Sequence, residues 1–195
     1  EHLKYLAKFF SDPRYEKIDG CPVLAIYRPD HLPDPRDFLY RIRGEARSLG
    51  FPGVYFVGVK SGLVGASEEE ILGYGFDSII DFQPNRDHFP KDGSFSYYMN
   101  LARKLIPRNL YQLIKTNANL VKRVSYEKFV QVQVHRHIGE RIHPTVFPSW
   151  DNSARRRTPT IIENHSAADF KKWLQHAYSH SANSSLAPRW VFVNA

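Results

Sequence analysis

The sequence predicts an α/β fold built on a parallel sheet, and three observations carry that expectation. Short apolar runs alternate with amphipathic segments in the order helix, strand, helix, strand, helix, strand, two helices, strand, helix, strand. Such alternation implies right-handed crossovers between parallel strands. The second run is apolar on both faces, as a strand covered on both sides is. The apolar runs end in polar or aromatic residues, the place where a parallel barrel keeps its chemistry. A closed (β/α)8 TIM barrel takes eight strands and about 250 residues. The expectation is therefore a partial barrel of about five parallel strands, matching the second half of the closed one.

The elements follow in order. Leu3, Leu6, Ala7 and Phe10 have helical spacing and stop before Asp12-Pro13. Asp19-Gly20 is a turn signal, and Val23 to Tyr27 reads as a buried strand between Pro22 and Pro29. Asp34-Pro35-Arg36-Asp37 offers a capping carboxylate, a proline at the first helical position and a second carboxylate in the first turn. Phe38, Ile42, Ala46 and Leu49 then share a face until Gly50 and Pro52 stop the helix. Gly53 to Val59 is a second strand, Ser67-Glu68-Glu69-Glu70 a capping box for a short helix, and Phe76 to Phe82 a third strand. Pro107 opens a loosely helical segment, and Val130 to Val134 fits either a strand or a helix. Pro144 to Pro148 reads as a strand that runs into Trp150-Asp151-Asn152. Ser166 starts a helix with Phe170, Trp173, Leu174, Ala177 and Tyr178 on one face, and Trp190 to Val193 is the last strand.

Composition narrows the class. With 42% hydrophobic and 14% aromatic residues, the 195-residue chain can bury a sizeable core. Cys21 is the single cysteine, so no internal disulfide forms, and it has no local activator for a nucleophilic role. No run of about 18 apolar residues is present to span a membrane. The formal charge is +7, and all of it falls between Leu101 and His143, where nine basic residues face Glu127 and Glu140. That stretch suits an anionic membrane surface, a nucleic acid or a phosphorylated substrate, or it is simply a solvated helical face. No nucleic-acid-binding motif accompanies it, so nucleic acid is not expected. A single domain over residues 1–195 is expected, with residues 85–139 a helical basic insertion. The helical pattern at Glu1 and the apolar run at the other end mark the chain as an internal piece of a larger barrel domain.

The candidate site lies at the strand ends: Tyr27 and Arg28, then Asp81 and Gln83, then Trp150, Asp151, Asn152 and Arg155, and finally Asn194. These residue types bind sugar hydroxyls and stack on pyranose rings. Asp81 and Asp151 are the candidate catalytic carboxylates. Trp150 is the stacking platform, Tyr27, Gln83, Asn152 and Asn194 are further substrate contacts, and Arg28 and Arg155 hold an anionic group. No phosphate loop or dinucleotide fingerprint occurs, and neither a cofactor nor a metal is expected. His135-x-His137 and His176-x-x-x-His180 have ligand-like spacing but no Cys or acidic neighbour to complete a metal site.

Phe9-Phe10-Ser11-Asp12-Pro13-Arg14-Tyr15, Asp19-Gly20-Cys21-Pro22 and Ile26-Tyr27-Arg28-Pro29 resemble the middle of WbsX-type, glycoside hydrolase family 99-like proteins. Gly75-Phe76-Asp77, Phe82-Gln83-Pro84, Pro148 to Arg155 and Phe192-Val193-Asn194-Ala195 resemble the same family in the same order. The run Trp-Asp-Asn-x-Ala-Arg is the most specific element. The resemblance implies a glycosidase-like (β/α)8 barrel encoded with bacterial surface-polysaccharide genes, and a helix over Tyr126 to His137. It also implies two acidic motifs flanking the chain, one of Trp-Ala-Asn-Glu type before Glu1 and one of Trp-Asn-Glu-Trp type after Ala195. The expected activity is glycosyl transfer in O-antigen or capsule (lipopolysaccharide) biosynthesis. The alternatives are a hydrolase of mannose-type glycans and a non-catalytic glycan-binding barrel. The expected partners are a glycan or sugar donor and an anionic membrane or lipid-linked glycan met by the 101–143 stretch. The expected location is cytoplasmic, peripheral to the inner membrane.

Overall fold

The computed structural model describes residues 2–90, 107, 110, 122–156, 159–186 and 188–194. Its elements are α1 (His2–Phe10), β1 (Lys17–Ile18), β2 (Cys21–Ile26), α2 (Pro35–Ser48), β3 (Tyr55–Lys60), α3 (Glu68–Gly73) and β4 (Ser78–Asp81). They continue with β5 (Lys122–Ser125), α4 (Tyr126–His135), β6 (Ile142–Val146), β7 (Trp150–Asp151), β8 (Thr160–Glu163), α5 (Ala167–Asn183) and β9 (Phe192–Val193). The chain is a mixed α/β fold that divides into two compact units. The first holds Glu1–Gln83, His137–Thr145 and Ala177–Phe192, and the second holds Pro84–Arg136, Val146–His176 and Val193–Ala195.

The local signals act as the sequence implies. Asp34 accepts a hydrogen bond from the Asp37 N–H at 3.0 Å and opens α2. Ser67 and Glu70 form a reciprocal capping box at α3. Asp19 and Gly20, both at positive φ, form the two-residue turn between β1 and β2. The α2 face differs in one place: Leu49 caps the helix and stays 36% exposed, while Leu39 is buried instead.

The first unit is organised by a sheet of order β1-β2-β3-β4-β6-β9. β2, β3, β4 and β6 pair in parallel, with Val23 beside Tyr55, Val57 beside Ser78 and Ile80 beside His143. β1 pairs antiparallel to β2. Alternation gives the sheet two faces. Leu24, Ile26, Phe56, Ile79 and Ile142 pack with Leu39 and Ala46 of α2 and Ile71 of α3. Gly58 permits that approach, because a Cβ there would fall 2.6 Å from Ile71 Cγ2. The other face carries Val57, Val59 and Ile80, packed with Val23, Tyr55, Phe82, Trp190 and Phe192. Arg43 and Asp77 pin α2 to the strands. The guanidinium meets Asp77 Oδ2 at 2.7 Å, and the same oxygen accepts the Phe56 N–H at 2.7 Å.

The second unit has a three-stranded sheet of order β5-β8-β7, with β5 parallel and β7 antiparallel to β8. This corrects the expected strand order. β6 spans Ile142–Val146 rather than Pro144 to Pro148, and Trp150-Asp151 forms its own strand rather than trailing from a parallel one. The Val130 to Val134 run is helical, within α4, because Tyr126, Phe129, Val130 and Gln133 fall on one buried face. Phe129, Phe147 and Trp173 stack around Tyr126, whose hydroxyl donates to the Phe147 carbonyl at 2.6 Å. The Pro107 segment, and Arg103, Lys104, Arg108 and Lys115 of the basic stretch, lie outside the residues described, Pro107 and Leu110 apart. No helix among the described residues is long and apolar enough to cross a membrane.

Candidate active site

The first unit holds four of the expected site residues. Tyr27 follows β2, is 52% exposed and meets Phe82 edge-on with ring centroids 6.1 Å apart. Arg28 is engaged by a neighbour: its guanidinium grips Asp30 through bonds of 2.9 and 3.0 Å. That contact, with a further N–H from Gly65, drives the Asp30 carboxyl down to about 2. Asp81 closes β4 and is 0% exposed, as is Gln83, whose Nε2 lies 3.0 Å from each Asp81 oxygen. Asp81 follows Ile79 by two residues, so its side chain leaves the sheet on the same face, the one that packs α2 and α3. Lys60, beside Asp81 in the register, turns its ammonium to the carbonyls of Val64 and Ala66 and staples the loop after β3.

The second unit gathers Trp150, Asp151, Asn152 and Arg155 in one loop. Trp150 is half-buried, with the Phe147 ring 6.2 Å away and the Arg155 guanidinium carbon 5.8 Å from the indole centroid. Asp151 is exposed, and its Oδ1 accepts the Ser153 N–H at 2.7 Å. Those Ser153 contacts hold its carboxyl below the usual aspartate range, so it is an anion at neutral pH. An ionised, reachable carboxylate acts as a base, a nucleophile or an electrostatic partner rather than as an acid. Asn152 braces the loop, since its Oδ1 accepts the Thr160 N–H at 2.8 Å. Asn194 is half-buried, and its backbone N–H donates to Val146 at 2.9 Å.

Trp150, Asp151 and Arg155 are thus brought together, as are Asp81 and Gln83, while Arg28 is tied to a carboxylate that the strand-end reading passed over. Asp30 lies two residues along in the sequence, close enough to have been weighed as a partner. Two polar groups on the second sheet face gave no sequence signal. His143 Nε2 lies 3.0 Å from Ser78 Oγ, and Thr145 is buried one step further along β6. Burial, with the charge of His180 adding to it, pushes His143 down to about 4, so its ring is neutral at pH 7. Among the described residues, no three His, Cys, Asp or Glu side chains are grouped to hold a metal ion.

The sequence matches the Glycosyltransferase WbsX family over residues 1–195. The chain belongs to that family. Two curated relatives are each called "Uncharacterized protein WxcX", from two strains of Xanthomonas campestris pv. campestris. The strain B100 protein is 25% identical over 201 residues, which cover 99% of this chain and 25% of the relative. The strain ATCC 33913 protein is 24% identical over 196 residues, with the same coverage of 99% and 25%. The WbsX-family chain thus spans about a quarter of the length of these relatives. A solved structure described as "Glycoside hydrolase-like protein" is similar over 100% of the chain and 49% of its own, with 17% identity and a TM-score of 0.49.

Proposed function

We propose that this chain is part of a (β/α)8 barrel in a carbohydrate-active enzyme that transfers sugars during bacterial surface-polysaccharide (O-antigen or capsule) biosynthesis. The family match over residues 1–195 carries the reading. The four parallel neighbours β2, β3, β4 and β6, joined through helices, support the barrel. The open Trp150–Arg155 loop supports a sugar site. In this reading the indole covers the apolar C–H face of a ring, the ionised Asp151 takes a hydroxyl or its proton, and Arg155 holds an anionic donor group. Gln83 fixes Asp81, which makes Asp81 a positioning carboxylate beneath the strand ends. Glycosidic chemistry uses two carboxylates across the anomeric carbon, about 5–5.5 Å apart for retention and wider for inversion. Asp151 is the candidate for one of them. Residues 1–195 act as a single domain of that barrel, with 85–139 its basic insertion. The exposed Lys122, Arg123 and Lys128 of that stretch suit an anionic membrane or a lipid-linked glycan at the cytoplasmic side of the inner membrane.

The deciding experiment incubates the full-length protein with activated sugar donors and with mannose-type oligosaccharides and reads the products by mass spectrometry. Lengthened glycan supports transfer. Free sugar released from an oligosaccharide favours a hydrolase instead. Binding without either product leaves a non-catalytic glycan-binding barrel, and no interaction with any glycan overturns the proposal.

A further inference from the structure

Among the described residues, the side-chain polar atom that is buried without a hydrogen-bond partner is the Thr145 hydroxyl. Thr145 is 3% exposed. It follows His143 by two residues in β6, so both side chains leave the sheet on the same face, the one that carries Val57, Val59 and Ile80. One step beyond the register pair Asp81–Pro144 puts Phe82 alongside Thr145. Phe82 in turn meets the half-exposed ring of Tyr27. On the other side of β6, β9 brings Phe192 to the same face. The hydroxyl therefore lies on the sheet face that carries Phe82 and Phe192, near the carboxyl end of a parallel strand. An unpaired buried hydroxyl costs stability, and a valine of the same shape would not carry that cost. A buried polar group without a partner calls for an explanation.

We propose that Thr145 is a sugar-binding residue, whose hydroxyl pairs with a glycan hydroxyl when a ring enters over Tyr27 and Phe82. The inference rests on the carbohydrate reading above and adds a subsite to it. Aromatic faces take the C–H surface of a pyranose, and its hydroxyls both donate and accept, as a threonine hydroxyl does. A site built to hydrogen-bond a substrate hydroxyl also rejects the analogue that lacks it. Thr145 is thereby a specificity residue.

The test uses the full-length protein, Thr145→Val and Thr145→Ser. Melting temperature is measured without ligand, and calorimetry follows binding of methyl manno-, gluco- and galactopyranosides and their monodeoxy analogues. Thr145→Val should melt about 2–4 °C higher, because the unpaired hydroxyl is gone. It should bind the preferred sugar about 10-fold more weakly and lose the preference for that sugar over one monodeoxy analogue. Thr145→Ser should keep both affinity and preference. Equal sugar binding by the wild type and Thr145→Val overturns the inference. So does a lower melting temperature or failed folding of Thr145→Val, because the hydroxyl would then be holding the fold. A wild-type protein that binds no pyranoside and processes no glycan overturns the carbohydrate reading, and this inference falls with it.

Discussion

Asp81 and Asp151 each end a strand and each sit among polar neighbours, yet their surroundings make them different chemical objects. Asp81 is fully buried, and the amide of an equally buried Gln83 lies across both of its oxygens. Asp151 is exposed and fixed through one oxygen by a backbone N–H two residues on. Burial with a fitted partner makes a carboxylate a fixed part of the frame. Exposure with donors from one neighbouring residue leaves a charged carboxylate that a substrate can reach. A strand-end aspartate is therefore not a catalytic candidate by position alone; what decides is which face of the strand carries it and what already occupies its lone pairs.

The sharpest way to break that contrast is a pair of isosteric substitutions in the full-length protein. Asp151→Asn should lower turnover on the order of 10²-fold or more with little change in melting temperature. Asp81→Asn should instead show its main effect in thermal unfolding. The opposite pattern, with activity lost at Asp81 and stability lost at Asp151, would reverse the roles assigned here.

Gln83→Leu comes next in size. It strips a buried carboxylate of an amide partner, and the expected loss is about 3 kcal/mol in urea unfolding. A loss below about 1 kcal/mol would mean that the amide adds little to the burial of Asp81.

A third measurement follows pH. His143 is neutral in the folded chain, held near 4 rather than its ordinary 6.5. Below pH 6.5 the unfolded chain takes up a proton that the folded chain refuses. The His143 contribution is thus complete above 6.5, declines as pH falls towards 4, and levels off below that. The expected loss by pH 5 is about 2 kcal/mol, and His143→Gln should flatten that part of the stability profile. Asp151 has the same sign in a more acidic window. Its lowered pKa stabilises the fold above the ordinary aspartate range, and that contribution is lost in more acidic solution as the carboxylate takes its proton.

The smallest effect belongs to Arg155. Arg155→Ala removes a cation from a half-buried indole at the surface and should cost under about 1 kcal/mol. It should nevertheless weaken binding of an anionic sugar more than binding of a neutral one. Equal weakening of both would leave Arg155 a packing role only.

Much of the first unit was legible because its signals are local. Asp34 with Pro35, and Ser67 with Glu70, announce their helices within four residues, and Asp19-Gly20 announces its turn. The three-stranded sheet was not legible for the opposite reason. β7 is two residues long, too short to show any period, and its strand character exists only because β8 lies beside it. β8 has the β-branched run Thr160-Ile161-Ile162, a strand signal too short to assign without the neighbours it pairs with. Val130, Val132 and Val134 alternate as in a strand, but Tyr126 and Phe129 supply the larger apolar surface and favour the helix. At the site, the trio Trp150, Asp151 and Arg155 was visible because it is contiguous. The partners of Arg28 and Asp81, and the solitude of Thr145, depend on where side chains point once the strands are paired.

The hairpin that opens the first sheet has a consequence for how the protein behaves in a crowded cell. A free strand edge is a template on which a second molecule can grow a sheet. Here β1 covers Cys21 and Pro22, the Val23 N–H is taken by the Glu16 carbonyl at 3.1 Å, and the Tyr15 hydroxyl caps the Val23 carbonyl at 2.8 Å. Pro22 has no N–H to offer in any case. The stretch of β2 that another chain could copy is thereby cut to a few residues. Two residues of strand and one tyrosine thus occupy backbone groups that an open edge would offer to a second molecule.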